Sequence, residues 1–339
     1  MTVTIHNVAQ EAGVGIGTVS RVVNNSPDVK PATRERVLAA IHRLNYKPDP
    51  IARSMISKRT NSIGTIVPFF TRPSFMERLR GVEAVIARLE RELVLYNVET
   101  SAQRDHFFRE LPLHRKVDGL LIISLSPDDA AARRFRELGT PVVLIDAYSP
   151  LLTSLVVNNV EGAYQAVKRL IELGHRHIGF INGEIEGNFK FNTANDRLIG
   201  LHRALGEAGL LFEPERVLIS EWSRKGGKHA ALQLLTQQKR PTAIFAASDV
   251  QAVGVLEAAR ELGLRVPEQL SVIGFDGIEI SELLELSTMQ QPLQEMGELG
   301  ASKLVELIEN PSHPPELIRF DTKLVERRTT SPALTERRL

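Results

Sequence analysis

The 339-residue chain has no cysteine, one tryptophan and few aromatic residues, which make up 5% of it. The absence of cysteine excludes disulfides, thiolate metal sites and cysteine nucleophiles. No apolar run of about 18 residues occurs, and the sequence therefore predicts no membrane span. Because the first residues, MTVTIHNVAQEAG, lack the basic and then apolar pattern of a secretory signal, we expect a cytoplasmic protein.

The net charge of the whole chain is also small, at +1, but the charged side chains are unevenly distributed. Residues 1–60 carry nine basic and four acidic side chains, whereas residues 61–339 carry 33 basic and 37 acidic ones. A small basic segment attached to a mildly acidic body favours a polyanionic partner for the N-terminal part. An ordinary solvated surface has the same composition, so charge alone leaves both interpretations open.

Three short helices are predicted in the first 47 residues. Thr4 caps the first helix and Gly13 ends it, and the second extends from about Ile16 to Asn24. The third begins near Pro31, and its inward-facing stripe consists of Val37, Ile41 and Leu44. Residues 48–61 contain prolines and charges typical of a linker, with a short helix over about 50–57 as the alternative.

From Ser62 onward, apolar segments of strand length alternate with amphipathic segments of helix length. The strand-length segments are SIGTIVPFF, LVLYNV, GLLIIS, VVLIDA, SLVVNN, HIGFING, VLISEW, AIFAAS and SVIGFDG. The helices predicted between them include Phe75–Arg91, Gly162–Leu173, Arg197–Ala208 and Val250–Leu262. This alternation predicts parallel sheets covered by helices on both faces, in two similar lobes separated by a cleft.

The stretch AGVGIGTVSRVVNN, residues 12–25, has glycines at 13, 15 and 17, which fit either a phosphate loop or a DNA-binding turn. A Walker loop needs a lysine that this stretch lacks, and a dinucleotide loop needs G-x-G-x-x-G after a buried strand. An alanine-rich helix, a glycine-led turn and a second helix that opens with small residues instead indicate a helix-turn-helix.

The segment TIHNVAQEAGVGIGTVSRVVNNSPDVKPATRERVLAAIHRLNYKPDPIARSM resembles the DNA-binding region of the LacI/GalR family of bacterial transcription regulators. The resemblance continues through ELGHRHIGFING, DRLIGLHRALGEAG and RPTAIFAASDVQAVGVLEAARELGLRVPEQLSVIGFDG. It implies an all-α helix-turn-helix domain over residues 1–47 and a hinge over residues 48–61. It also implies a two-lobed α/β core over residues 62–330, with two doubly wound parallel sheets like those of a periplasmic binding protein, and a tail over residues 331–339.

Within the core, the resemblance assigns residues of about 62–158 and 292–320 to the N-lobe and about 159–291 and 321–330 to the C-lobe. The core of the family dimerises and binds a small effector. The C-terminal residues TTSPALTERRL contain no heptads, which predicts a homodimer rather than a tetramer. A dimer is expected to bind a pseudo-palindromic operator in double-stranded DNA.

On the DNA side, Ile16 and Gly17 match family positions that select the operator sequence. Neither side chain donates a hydrogen bond, so we expect Ile16 to contact a thymine methyl and Gly17 to permit close approach, while Arg21 contacts guanine. The candidates for phosphate contacts are Thr4, Thr18, Ser20, Asn24 and Thr33, with local capping as the alternative for each Ser or Thr. The hinge candidates are Ala52, Arg53 and Met55, where Met55 matches the apolar wedge that the family inserts into the minor groove.

On the effector side, the resemblance places Arg197 as a clamp for ligand oxygens, and Asp146 and Asp276 as acceptors for ligand hydroxyls. Trp222 matches an aromatic residue that stacks on the ligand. The other candidates are Arg72, Phe75, Phe189 and Ser248. The alternatives are a core role for Trp222 and helix capping for the two aspartates, and Asp249 is expected to cap the helix Val250–Leu262.

These residues predict a ligand-modulated transcriptional regulator, most simply a repressor, and not an enzyme. Aromatic, carboxylate and arginine side chains suit a sugar or sugar derivative, and an anionic sugar phosphate or sugar acid stays open. No cofactor and no metal site is predicted. The alternatives are a DNA-binding regulator controlled by a protein co-regulator, or a sugar-binding receptor.

Overall fold

The computed structural model describes residues 3–23, 26–46, 60–114, 116–184, 189 and 192–334. The chain divides into two compact units, Met1–Asn61 and Ser62–Leu339. Four of the predicted DNA-binding residues, Asn24, Ala52, Arg53 and Met55, lie outside the described residues, as does the predicted helix over 50–57.

The first unit contains three helices: α1 (Ile5–Ala12), α2 (Ile16–Val23) and α3 (Pro31–Arg43). They pack around three completely buried valines, Val8, Val19 and Val37. Thr4 occupies the N-cap of α1, and Gly13 ends it in the left-handed conformation that glycine adopts without strain. Pro31 is the first residue of α3. The three helices predicted from the sequence are thereby confirmed.

Twelve strands form the sheets of the second unit as the structure describes it. They are β1 (Ser62–Pro68), β2 (Glu92–Val98), β3 (Gly119–Ile123), β4 (Val142–Ile145), β5 (Thr153–Val157), β6 (Ile178–Asn182), β7 (Val217–Ile219), β8 (Ala243–Ala246), β9 (Ser271–Asp276), β10 (Ser287–Gln290), β11 (Leu317–Phe320) and β12 (Lys323–Val325). The nine strand-length segments of the sequence correspond to β1–β9. The last three strands are short and partly polar, which is why apolar runs did not reveal them.

The helices of the second unit lie on the faces of its sheets. They are α4 (Pro73–Arg88), α5 (Ser101–His114), α6 (Asp129–Glu137), α7 (Asn159–Glu172), α8 (Asn192–Glu207), α9 (Arg224–Leu235), α10 (Asp249–Glu261), α11 (Glu279–Leu283) and α12 (Leu293–Glu309). No helix in the described part of the chain is long and apolar enough to cross a membrane.

Each lobe of this unit is built on one six-stranded sheet. The N-lobe sheet has the order β11-β5-β4-β3-β1-β2 with all neighbours parallel. The C-lobe sheet has the order β12-β10-β9-β8-β6-β7, in which β12 is antiparallel to β10. The two doubly wound parallel sheets expected from the sequence are confirmed, with β12 as an antiparallel edge strand. Only residues 321–322 separate β11 from β12, so the chain enters the C-lobe from the end at which β11 finishes and runs back along β10.

The chain passes between the lobes after β5, after β10 and between β11 and β12. The inner strands β1, β3, β4, β8 and β9 are buried along their whole length, as expected for sheets covered on both faces. In the N-lobe, α4 crosses α12 with backbones in contact at Gly297, where any Cβ would overlap the carbonyl oxygen of Arg78. This crossing fixes the middle of α4 against the first turns of α12.

A recognition helix and a candidate effector cavity

The exposed face of α2 carries the residues predicted to select the operator. Ile16 is 41% exposed, and Gly17 and Arg21 are exposed as well. Gly17 and Arg21 are one turn apart, so they share a face, while Val19 and Val22 point into the core. A Cβ at Gly17 would have no atom within 4 Å, so this surface is open. The structure thus brings together the apolar, small and cationic features that a major-groove helix uses.

Four of the polar candidates for phosphate contacts lie within the described residues, and Thr4 is exposed. Thr18, Ser20 and Thr33 are all half-buried. Thr4 is engaged locally, because the Asn7 carboxamide oxygen accepts hydrogen bonds from both its N–H (2.9 Å) and its hydroxyl (2.8 Å). To donate to a phosphate, the Thr4 hydroxyl has to release Asn7. Contacts of these residues with DNA stay predictions.

A cavity of about 650 Å³ lies between the two lobes of the core. All eight residues predicted for the effector line it: Arg72, Phe75, Asp146, Phe189, Arg197, Trp222, Ser248 and Asp276. They come from both sheets and from α4 and α8, and the carboxyl ends of the parallel strands face the cavity, as in other doubly wound folds. Their contact with a ligand stays a prediction.

The two predicted acceptor carboxylates sit where strands end and the backbone turns. Asp146 directly follows β4 with φ +55°, and Asp276 is the last residue of β9 with φ +123°. Such positive φ values are strained for residues other than glycine and cluster at functional sites. Neither aspartate caps a described helix, so the capping alternative is wrong for both.

A continuous chain of polar contacts joins these carboxylates across the cavity floor. The Arg78 Nη2 lies 3.0 Å from the Asp146 Oδ2, which also accepts a hydrogen bond from the Ser124 hydroxyl (2.9 Å). The same Arg78 nitrogen donates to the Gln291 Oε1 (3.0 Å). The Gln291 Nε2 in turn donates to the Asp276 Oδ1 (2.6 Å).

Arg197 lies on the C-lobe side of this floor and is 3% exposed. Its Nε and Nη2 donate to the Asn159 Oδ1 (3.1 and 3.0 Å), its Nη1 donates to the Ala247 carbonyl, and its Nη2 lies 3.9 Å from the Asp276 Oδ1. Burial lowers the pKa of Arg197 to about 10, so it stays charged at neutral pH. A guanidinium has five N–H groups, and these bonds leave two for a ligand.

Trp222, the only tryptophan, forms one wall of the cavity. Its indole lies against Gly183, where any Cβ would overlap the ring, and it packs partly on the C-lobe core. The indole N–H is buried with no hydrogen-bond partner among the described residues. Trp222 therefore lies both in the cavity wall and against the core, and its stacking on a ligand stays a prediction.

Aromatic and charged side chains form the mouth of the cavity. The rings of Phe69 and Phe189 meet edge to face, 5.3 Å apart at their centroids. The Arg72 guanidinium carbon lies 4.0 Å from the centroid of the Phe69 ring. Burial lowers the pKa of Arg72, while the carboxylates of Glu221 and Glu184 act to raise it.

The helix α10 begins differently from the prediction. Ser248, not Asp249, is the N-cap, and its hydroxyl accepts a hydrogen bond from the Gln251 N–H (3.2 Å). Asp249 is completely buried and accepts from the Gly277 and Ile278 N–H groups at 2.8 and 3.0 Å and from the hydroxyl of Thr288 at 2.6 Å. Asp249 thus holds the turn after β9, and burial raises its pKa and that of Asp276.

Comparison with known proteins identifies both parts of the chain. The model for bacterial regulatory proteins of the lacI family matches residues 4–49, and a periplasmic binding protein-like domain matches residues 167–330. The ribose operon repressor of Haemophilus influenzae is 36% identical over 315 residues, which cover 91% of this chain and 93% of that protein. The chain belongs to the LacI family of bacterial regulatory proteins.

Solved structures resemble this LacI-family regulator over almost its full length. The lac repressor dimer bound to operator and to the anti-inducer ONPF is 28% identical, with a TM-score of 0.85 over 98% of this chain and all of that one. The complex of the regulator CelR with cellobiose is 31% identical, with a TM-score of 0.71 over 96% of this chain and 99% of that one. The protein is a DNA-binding transcriptional regulator and not an enzyme.

Two floor residues of this LacI-family protein were missed by the sequence analysis, Arg78 and Gln291. The sequence pattern could have identified Arg78, because this residue falls on the apolar stripe of α4 that contains Phe75, Val82 and Val85. A cation on an apolar stripe indicates a buried partner. No sequence pattern identifies Gln291, since its role depends on a fold that brings it beside Arg78, 213 positions away in the chain.

Within the described residues of this regulator, no three His, Asp or Glu side chains are grouped so that they could hold a metal ion.

Proposed function

We propose that this regulator is a cytoplasmic repressor whose homodimer binds a pseudo-palindromic operator and whose affinity for DNA is set by a neutral sugar in the interlobe cavity. The single observation that carries the proposal is the cavity itself. This one cavity collects two strained strand-end carboxylates, two buried arginines and an indole from segments far apart in the chain.

The DNA contacts follow from the open face of α2. Ile16 contacts a thymine methyl, Gly17 lets the helix backbone approach the base edges, and Arg21 donates two hydrogen bonds to guanine. The lac repressor neighbour, a dimer bound to operator, supports docking as a pair. Insertion of Met55 with Ala52 and Arg53 in the minor groove is proposed from the sequence alone.

The charges of the cavity favour a neutral effector over a sugar phosphate or sugar acid. Among the described residues that line it, five are acidic and four are arginines. Arg78 already faces Asp146, Arg197 faces Asp276, and Arg224 pairs with Glu257 outside the cavity. An added anion would meet three arginines that already face carboxylates, with only Arg72 at the mouth outside these ion pairs, and it would be repelled by the five acidic side chains. Hydroxyl groups, in contrast, donate to the carboxylates and accept from the arginines.

A sugar is the neutral ligand that suits these groups. Its hydroxyls match the carboxylates, and the apolar face of its ring stacks on an indole such as Trp222. The cellobiose complex of CelR and the name of the ribose operon repressor support this ligand class. The Phe69 and Phe189 pair at the mouth provides a second aromatic surface for a longer sugar.

Coupling between sugar and DNA follows from a ligand held by both lobes. A ligand that contacts Asp146 on one side and Arg197 on the other favours one relative orientation of the lobes. It changes affinity for DNA only to the extent that it binds the two states of the protein differently.

The deciding experiment is selection of bound fragments from a random DNA pool. It is run with the full-length protein alone and with D-ribose, D-glucose, D-galactose or cellobiose, and with glucose 6-phosphate and gluconate as anionic comparisons. We expect a palindromic sequence to be enriched and a neutral sugar to change its retention. Failure to enrich any palindrome rejects the operator proposal. If a palindrome is enriched but no sugar changes its retention, the sugar effector is rejected. Control by a protein co-regulator then becomes the favoured alternative.

A further inference from the structure

The polar chain on the cavity floor joins groups that the effector proposal treats as separate. Arg78 belongs to the N-lobe helix α4, Gln291 lies on the crossing segment after β10, and Asp276 ends a C-lobe strand. The Arg78 Nη2 reaches both Asp146 (3.0 Å) and Gln291 (3.0 Å), and Gln291 reaches Asp276 (2.6 Å). A single bridge of two side chains therefore connects the acceptor carboxylate of one lobe with that of the other.

We propose that Arg78 and Gln291 are positioning residues that hold Asp146 and Asp276 as one unit, so that the effector binds both carboxylates together and its occupancy is felt by both lobes. This inference rests on the proposed function of the cavity as the effector site.

The hydrogen bonding of Arg78 favours this role over a purely structural one. Arg78 is 2% exposed, and its Nε–H is buried with no partner among the described residues. Its Nη1 makes only a long contact of 3.4 Å with the Ser74 carbonyl. A buried ion pair contributes little to stability after desolvation, and an unsatisfied donor lowers that contribution further. The position of Arg78 instead places its Nη2 within 3.0 Å of two acceptors on different segments, Asp146 and Gln291.

The backbone around Arg78 fixes the bridge in place. The Arg78 carbonyl oxygen lies against Gly297 of α12, and Gln294 lies against Gly81 in the same crossing. Gln291 immediately precedes α12, so its position is tied to the same helix pair. A shift of the C-lobe carboxylate is therefore transmitted to the α4–α12 pair rather than absorbed by a flexible side chain.

The charges around Asp276 give the bridge a measurable signature. Asp276 is faced by Arg197 from α8, Arg78 from α4, Asp146 from the end of β4 and Asp249 from α10. Arg78 and Arg197 favour its ionised form, and Asp146 opposes it. Removal of the Arg78 charge should therefore raise the pKa of Asp276, and an uncharged link such as Gln291 should change it less.

The test combines ligand affinity with titration of the wild type and three variants. Arg78→Met removes the charge and the link, Arg78→Lys keeps the charge without the forked geometry, and Gln291→Leu removes the link without leaving a buried charge unpaired. Arg216→Met is the matched control, because Arg216 is also buried and paired with a carboxylate, Glu213 at 2.7 Å, but does not line the cavity. Calorimetry with cellobiose and D-ribose measures affinity from pH 5 to 8, and ¹³C NMR of labelled aspartate follows Asp276 without ligand.

We expect Arg78→Met to weaken sugar binding about tenfold or more and to move the titration of Asp276 to higher pH. Arg78→Lys should weaken binding while leaving the titration near that of the wild type, and Arg216→Met should change neither. In a double-mutant cycle, Asp146→Asn and Asp276→Asn should be non-additive in the wild type and additive in Gln291→Leu.

The outcomes distinguish failure of the bridge proposal from failure of the effector proposal. An additive cycle in the wild type, or an unchanged Asp276 titration in Arg78→Met, overturns the bridge while the effector proposal stands. Absence of sugar binding by the wild type rejects the effector proposal, and the ligand-free titration still decides whether Arg78 controls Asp276. If Arg78→Met does not fold, Gln291→Leu alone carries the cycle.

Discussion

The exposed face of α2 and the floor of the interlobe cavity place the residues proposed to bind DNA and sugar in opposite environments. Ile16, Gly17 and Arg21 are exposed and come from less than two turns of one helix. Arg78 and Arg197 are 2% and 3% exposed and are held by partners from distant segments. On the exposed face of α2, each side chain is expected to contact DNA independently of its neighbours. On the cavity floor, each contact depends on the hydrogen bonds and ion pairs of the others.

This difference predicts how substitutions behave. Contacts on an exposed face are expected to contribute almost additively, because water replaces whatever is removed. On a buried floor, removal of one member leaves another charge or donor without its partner, and the cost exceeds that of the lost contact.

The largest effect should come from Arg197→Ala. It removes the donors for a ligand and leaves Asp276 without the cation 3.9 Å away, so we expect sugar affinity to fall roughly 100-fold or more. Calorimetry measures the loss. The control is Arg203→Ala on the same helix, where Arg203 is exposed and pairs with Glu161 and Glu207. Equal affinity of wild type and Arg197→Ala would reject the clamp.

A smaller effect is expected from Arg21→Ala on the recognition face. Loss of a forked contact to guanine costs about 1–3 kcal/mol, which is about 5- to 150-fold in affinity for the selected operator. Fluorescence anisotropy at fixed salt should show a much smaller loss on random DNA. Arg43→Ala removes an equal charge from α3 and serves as the control. Equal losses on operator and random DNA would assign Arg21 to the phosphates instead.

A still smaller effect is expected from pH, which tests whether ionised Asp276 on the buried floor accepts hydrogen bonds from the sugar. Burial raises the pKa of Asp276 to about 6, and ligand hydroxyls donate to its ionised form. Affinity should therefore be constant above the pKa and fall by up to about tenfold per pH unit below it. Asp276→Asn should bind more weakly and lose this dependence. A wild-type affinity that does not change between pH 7.5 and 5 would contradict ionised Asp276 as an acceptor.

The smallest effect concerns packing behind the indole. Gly183→Ala places a methyl group where the Trp222 ring lies, so the ring must shift, and we expect sugar affinity to fall about fivefold. Because Trp222 is the only tryptophan, its fluorescence reports the shift directly. Gly206→Ala on α8 is the control, since a Cβ there meets no atom within 4 Å. Unchanged fluorescence in Gly183→Ala would contradict the close contact.

The cavity-lining residues proposed to bind the effector were predictable where a local motif identified them. Asp146, Trp222 and Asp276 lie in short segments at strand ends or in a loop, and the resemblance to a family assigned them. Their partners were not predictable in this way. Asp249 illustrates the limit, because a position at the start of a helix suggested a cap, while its carboxylate in fact serves the turn after β9.

Residue patterns along the chain were enough to predict the local elements: the end of α1 at Gly13, the start of α3 at Pro31, the alternation of apolar strands and amphipathic helices, and the exposed face of α2. These features depend on dihedral preferences and on periodicities within a few residues. The polar chain of Arg78, Gln291 and Asp276 and the antiparallel pairing of β12 depend instead on how the whole core folds. Hydrogen bonds and ion pairs need atoms within about 3 Å, and the sheets alone bring such distant residues to that separation.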